Sequence, residues 1–161
     1  MSSTGEHLAA VVREIRESGR RYPVVVVIER DGGVLGLDVD EEIAQLCGLR
    51  CVDVTEELKP AEGSGAASGL VGRGRFLEWI LHTARDSDGL LLQRADWVMD
   101  TWPERERFAF LREFIRTECN RPDDETVRIP ILLPTSSMES HRLPRERIGQ
   151  GYVVDLGAFE L

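Results

Sequence analysis

A single lysine, Lys59, stands among twenty basic residues, and twenty-nine acids outnumber them to give a net charge of −9. A protein that neutralises many phosphates carries a basic excess, so autonomous binding of DNA or RNA is disfavoured as a primary role. Long apolar runs are missing too: none approaches the roughly 18 residues that cross a bilayer. The first residues lack the basic and apolar regions of a secretory signal. A cytoplasmic protein without a membrane partner is expected. Cysteine is scarce and odd in number, with Cys47, Cys51 and Cys119 in 161 residues. A chain of this length does not need disulfide staples, so free thiols in a reducing compartment are expected.

What is present is an average globular composition, 42% apolar and 30% charged, in one domain's length of chain. The charge is unevenly spread. Residues 29 to 62 hold ten acids against three bases, while arginines collect at Arg73 and Arg75, from Arg105 to Arg116, and from Arg142 to Arg147.

The element order follows from periodicity. Ser3 and Glu6 form a capping box, and Leu8, Val11, Val12 and Ile15 repeat at helical spacing, which predicts a helix from Glu6 to Ser18 stopped by Gly19. Tyr22-Pro-Val-Val-Val-Val-Ile28 is the β-branched run of a strand covered on both faces. A glycine loop, residues 29 to 36, leads to a short helix with Asp38 and Glu41 as caps and Ile43 and Leu46 turned inward. Residues 49 to 54 alternate as a strand, and 59 to 74 read as a mobile loop. A helix from Arg75 to Asp86, a strand at 88 to 92, and a long helix opened by a Thr101/Glu104 capping box come next. That helix turns Phe108, Phe110, Leu111, Phe114, Ile115 and Cys119 inward. After a polar turn at 120 to 125, strands are expected at 127 to 133 and 152 to 156, with a short helix or structured loop between 143 and 150. Helices alternate with strands throughout, the pattern of a single three-layer α/β domain with a mainly parallel sheet and helices on both faces.

The same order, strand, glycine loop, helix, strand, helix-led strand, long helix and strand ending in polar residues, resembles a P-loop NTPase core. In that family G-x-x-x-x-G-K-[S/T] supplies backbone N–H groups and a lysine to a triphosphate and a hydroxyl to magnesium. Here Gly32, Gly33 and Gly36 are present, but Leu37 stands where the lysine is needed and Asp38 where the hydroxyl is needed. Acids at Asp31, Asp38, Asp40, Glu41 and Glu42 repel an anion at the helix end that would attract it. After Leu90-Leu-Leu92 the chain runs through Gln93 and Arg94 before its first acid, Asp96, so no Walker-B carboxylate ends the strand directly. Asp96 and Asp100 are displaced candidates, and Thr135 or Ser136 is the candidate for the polar sensor that ends a neighbouring strand in AAA-type members.

At family level the sequence resembles the small P-loop proteins of bacterial phage-exclusion (BREX) defence systems. The resemblance rests on total length, on Tyr22 to Ile28 after a short amphipathic helix, on Cys51-Val-Asp-Val-Thr-Glu-Glu-Leu58, and on Leu90-Leu-Leu-Gln-Arg-Ala-Asp-Trp97 before a long helix. It covers most of the chain without a specific motif. It implies a fold and a setting, an accessory subunit beside larger protein subunits of an antiviral system. The residues missing from the loop and strand add the expectation of a degenerate Walker A site and a non-catalytic adaptor with no cofactor, with further copies of itself as a second candidate partner.

Trp97, Trp102, Arg105 and Arg112 are the candidate partner-binding residues, since tryptophan and arginine anchor interfaces. Two alternatives stand beside the adaptor. In one, Gly32, Gly33 and Gly36 cradle ATP with magnesium, and Arg73 or Arg145 replaces the lysine. The other is a small hydrolase or metal enzyme, in which Cys47, Cys51 and Cys119 with a histidine hold zinc, or Ser136, Ser137 and His141 act together; the spacings fit a zinc knuckle poorly.

Overall fold

Three apolar strands are buried at every position, and they set the middle layer of the molecule. A computed structural model describes residues 3–18, 21–29, 37–58, 71–144 and 150–155. In chain order the elements are α1 (Ser3–Ser18), β1 (Val24–Ile28), α2 (Leu37–Cys47), β2 (Arg50–Asp53), α3 (Val54–Glu57), α4 (Arg73–Arg85), β3 (Leu90–Gln93), α5 (Asp96–Met99), α6 (Glu104–Phe114), β4 (Asn120–Arg121), β5 (Asp124–Arg128), β6 (Ile131–Thr135), a 3₁₀ turn (Met138–Arg142) and β7 (Tyr152–Asp155).

The main sheet runs β2-β3-β6-β1-β7, and every pairing in it is parallel. Alternate side chains of β1 enter different layers because successive residues of a strand face opposite ways. Val24, Val26 and Ile28 meet Phe76, Ile80 and Ala84 of α4 and Phe110 and Phe114 of α6. Val25 and Val27 meet Leu8, Val12 and Ile15 of α1 and Ile43 and Ala44 of α2. The expected α/β sheet flanked by helices is therefore present. Fully burying side chains of this size contributes roughly 1.5–3 kcal/mol each, which is why continuous apolar runs occupy the centre of the sheet.

Several expectations are corrected. Leu46 is 46% exposed, while Ile43, Ala44 and Cys47 of α2 reach the core. The long helix is shorter than expected, ending at Phe114, and it starts after Pro103 with no side-chain cap. Thr101 instead donates its hydroxyl to the Val98 carbonyl at 2.6 Å, closing the short helix α5. Phe108 is half-buried beneath the Arg112 guanidinium rather than turned fully inward. The polar turn at 120 to 125 and the start of the next strand form an antiparallel hairpin, β4 with β5, and β6 begins only after Pro130. Pro130 accepts a hydrogen bond from Leu90 N through its carbonyl at 2.9 Å, so it joins two strands that the hairpin would otherwise separate. The helix expected at Arg75 begins at Arg73; residues 59 to 70 of the expected mobile loop lie outside the described residues.

Cys119 belongs to the α4/α6 layer and Cys47 to the α1/α2 layer, on opposite faces of the sheet, so these two thiols cannot share one ion. Burial raises the Cys47, Cys51 and Cys119 thiols to about 11, and they stay protonated at neutral pH.

Gly89 turns the chain into β3 at φ +152°, where an added Cβ would stand 2.4 Å from Leu49 Cδ2 and 3.2 Å from the Pro130 carbonyl oxygen. Gly89→Ala is expected to lower unfolding stability by about 1–3 kcal/mol, as strain and overpacking both act there. Urea denaturation with an unchanged slope is the measurement.

Candidate functional site at the carboxyl end of the sheet

Parallel strands deliver their carboxyl ends to one edge of the sheet, and in open α/β sheets ligands bind outside that edge. Register fixes which side chains meet there. Ile28 is level with Thr135 on one side and Asp155 on the other, and Asp53 is level with Gln93. Glu29, one residue beyond β1, donates its backbone N–H to the Thr135 carbonyl at 2.8 Å, so β1 and β6 stay joined at the crest.

Arg94 is the one non-glycine among the described residues with positive φ, at 60°, directly after β3. This left-handed turn brings Asp96, the first residue of α5, back over the end of β6. There Thr135 Oγ1 donates to Asp96 Oδ1, while Ser136 donates its backbone N–H and its hydroxyl to Asp96 Oδ2, both at 2.8 Å. Thr135 is fully buried, and its hydroxyl oxygen also accepts the Ser137 N–H at 3.2 Å. The displaced acid and the candidate sensor residues are thus brought together into one closed junction. Asp100 donates its backbone N–H to the Asp96 carbonyl at 2.8 Å, and burial and the Asp96 charge raise its carboxyl above the usual range.

Beside the junction lies a second pair of acids. Asp40, on α2, is 5% exposed; its carboxylate takes a hydrogen bond from the buried Gln93 amide, yet its Oδ1 has no hydrogen-bond partner. Burial raises Asp40 to about 6. Glu29 is raised further, to about 8, by burial first and then by the charges of Asp40 and Asp96. At neutral pH Glu29 is therefore mostly a neutral acid facing ionised neighbours. On the β2 side, Asp53 caps α3 by accepting Thr55 N–H at 2.9 Å and its hydroxyl at 2.6 Å, with Arg94 Nη1 3.8 Å from its other oxygen. Behind the junction, Arg107 places Nε and Nη2 on Glu139 Oε1 at 3.0 and 2.7 Å and Nη1 on the Trp102 carbonyl at 2.7 Å, tying the 3₁₀ turn to α6.

The other candidates fall elsewhere. Gly32, Gly33, Gly36 and Arg145 lie outside the described residues. Arg73 is engaged by Glu106 at 2.6 Å and Glu113 at 3.0 Å on α6. Trp97 is 46% exposed beside Asp96. Trp102 is corrected to a core residue: it is 8% exposed, its ring edges meet Phe76 and Phe110, and its indole N–H donates to the Val71 carbonyl at 2.6 Å. Arg105 and Arg112 are exposed on one face of α6, two turns apart. Among the described residues no group of three or more His, Cys, Asp or Glu has the arrangement of a metal centre.

Glu29, Asp40 and Gln93 were not singled out together by sequence reasoning. An acid directly after a fully buried strand is a usable signal for Glu29; nothing local reveals that Asp40 and Gln93 meet. No family model matches the chain, and no curated protein is significantly similar to it.

The raised acids give stability a definite sign with pH. The folded chain holds protons that the unfolded chain has released, on Asp40 between 3.8 and about 6 and on Glu29 between 4.5 and about 8, so stability falls as pH rises through those windows. Melting temperatures measured from pH 5 to 9 are expected to decline, with a shallower decline in Glu29→Gln, which stays neutral throughout.

Proposed function

We propose that the chain is a P-loop-like domain whose nucleotide site has decayed and which serves as a non-catalytic adaptor in a multi-protein system. One observation carries the reading. The Asp96 carboxylate, the first acid after β3, has both oxygens taken by Thr135 and Ser136. A Walker-B acid needs an open oxygen toward magnesium, and this one is turned into an internal clasp. The strand order supports the P-loop comparison, since β6 lies between β1 and β3, next to both strands whose ends would hold phosphate and metal. The acids oppose an anion at that edge, where burial first, and then the charges of Asp40 and Asp96, already hold Glu29 largely protonated at neutral pH. The setting in phage exclusion comes from the sequence resemblance alone, with larger defence subunits as partners.

A second reading, nucleotide binding completed by a partner, is favoured by the meeting of Asp96 with Thr135, the pairing of an acid with a sensor that an active site would use. Titration with Mg-ATP followed by amide NMR separates the two. The adaptor reading expects no change at Glu29, Asp96 or Ser136 up to millimolar ligand and no released phosphate. Saturable shifts at those amides would overturn it.

The exposed face supplies the adaptor's test. Trp97→Ala combined with Arg105→Ala and Arg112→Ala is expected to lose the protein partner that the tagged wild-type chain retains, by at least about tenfold, since truncating such anchors commonly costs 2 kcal/mol or more. The melting temperature of the variant should stay within a few degrees of wild type, because all three side chains are exposed.

A further inference from the structure

The opposite end of the sheet holds a different kind of site. Gly48, Asp88 and Ile129 stand just before β2, β3 and β6, and between them and the β4–β5 hairpin is a cavity of about 500 Å³. Three arginines, Arg16, Arg121 and Arg128, line it together with one carboxylate, Asp88, and the Thr126 side chain. In a chain of net charge −9 this is a local reversal of sign. A neighbouring recess of about 290 Å³ shares Asp88 and Arg121 and adds Arg85 with Asp86 and Asp123, so it carries no positive excess of its own.

Arg16 is fixed without being neutralised by an acid. Its Nη1 donates to the Cys47 carbonyl at 2.7 Å and its Nη2 to the Gly48 and Asp88 carbonyls at 2.9 and 3.1 Å. These contacts hold the guanidinium plane while leaving its charge in the cavity wall. Arg128 donates to the side-chain oxygen of Asn120, and Arg121 pairs with Asp88. The hairpin that carries Arg121 and Arg128 is not needed to complete the five-stranded sheet, which it does not join. Planar guanidinium groups converging from two elements on a concave space match an oxyanion, which accepts several charge-assisted hydrogen bonds at once. A volume of this size lies in the range of small-molecule sites.

We propose that this cavity binds a small oxyanion ligand of two or more negative charges, a phosphate ester or a polycarboxylate, held between the fixed Arg16 and the hairpin arginines Arg121 and Arg128. Arg121 then exchanges part of its pairing with Asp88 for the ligand, and binding weakens as salt rises. The site is separate from the carboxyl-end crest, so it stands whether or not the adaptor reading does. ATP carries the same oxyanions, which is why the crest amides, and not total heat, decide the nucleotide question.

The test is calorimetric titration of the whole chain with inorganic pyrophosphate and, separately, citrate at low ionic strength. Saturable binding of either is expected, weakened at least about tenfold in Arg121→Gln/Arg128→Gln and unchanged within about twofold in Arg75→Gln/Arg116→Gln, which removes the same charge from exposed positions outside the cavity. Tighter binding of pyrophosphate identifies a phosphate ester as the natural class and tighter binding of citrate a polycarboxylate; each supports the site. Melting temperatures of both variants are measured alongside, and Arg128→Gln alone provides the readout if the double variant does not fold. No saturation with either probe, or equal weakening in the two double variants, would overturn the proposal.

Discussion

The structure depends on the burial of β1. Val24 to Ile28 pairs with β6 along one edge and β7 along the other, and its side chains are divided between the two helical layers. Every backbone group of that segment therefore finds a partner inside the protein, and every side chain leaves water. The helices are held largely by the apolar stripes that β1, β3 and β6 accept. Phe76, Phe110 and Phe114, stacked or edge-on to their neighbours, fill one layer, and the smaller Ile43, Ala44 and Cys47 fill the other.

The polar chemistry follows from the same constraint. Because the central strands are apolar throughout, polar side chains are displaced to the two ends of the sheet, where strands hand over to turns. The carboxyl end receives Glu29, Gln93, Asp96, Thr135 and Ser136, among which Asp96 is bonded through both carboxylate oxygens to Thr135 and Ser136. The amino end receives the hairpin arginines and Arg16, whose acceptors are the backbone carbonyls of Cys47, Gly48 and Asp88. The two ends thus differ in charge and in openness: acidic and internally bonded at one, basic and hollow at the other.

Periodicity located all five main-sheet strands and the principal helices within a few residues, because each is amphipathic or uniformly apolar over several residues. It failed where local and tertiary demands compete. Leu46 fits the helical spacing but falls beyond the width of the layer it would enter. Thr101 and Glu104 have capping-box spacing, yet the Thr101 hydroxyl closes the preceding turn and Pro103 opens α6. Asn120 to Glu125 has turn composition, and its pairing as a hairpin comes from residues on both sides of it. Trp102 stands in a polar stretch that reads as surface, but the indole is drawn in by Phe76, Phe110 and the Val71 carbonyl.

The sequence by itself determined the alternation of helix and strand, the central place of β1, and the absence of a lysine and a directly placed acid where a P-loop enzyme needs them. These are local properties, read from side-chain type and spacing. The tertiary structure alone decided the strand order, the clasp of Asp96 by residues some forty positions away, the meeting of Asp40 with Gln93, and the basic cavity beneath the sheet. Each of these joins residues distant in sequence, and crossover connections in a parallel sheet carry no local mark of which strands they will bring together.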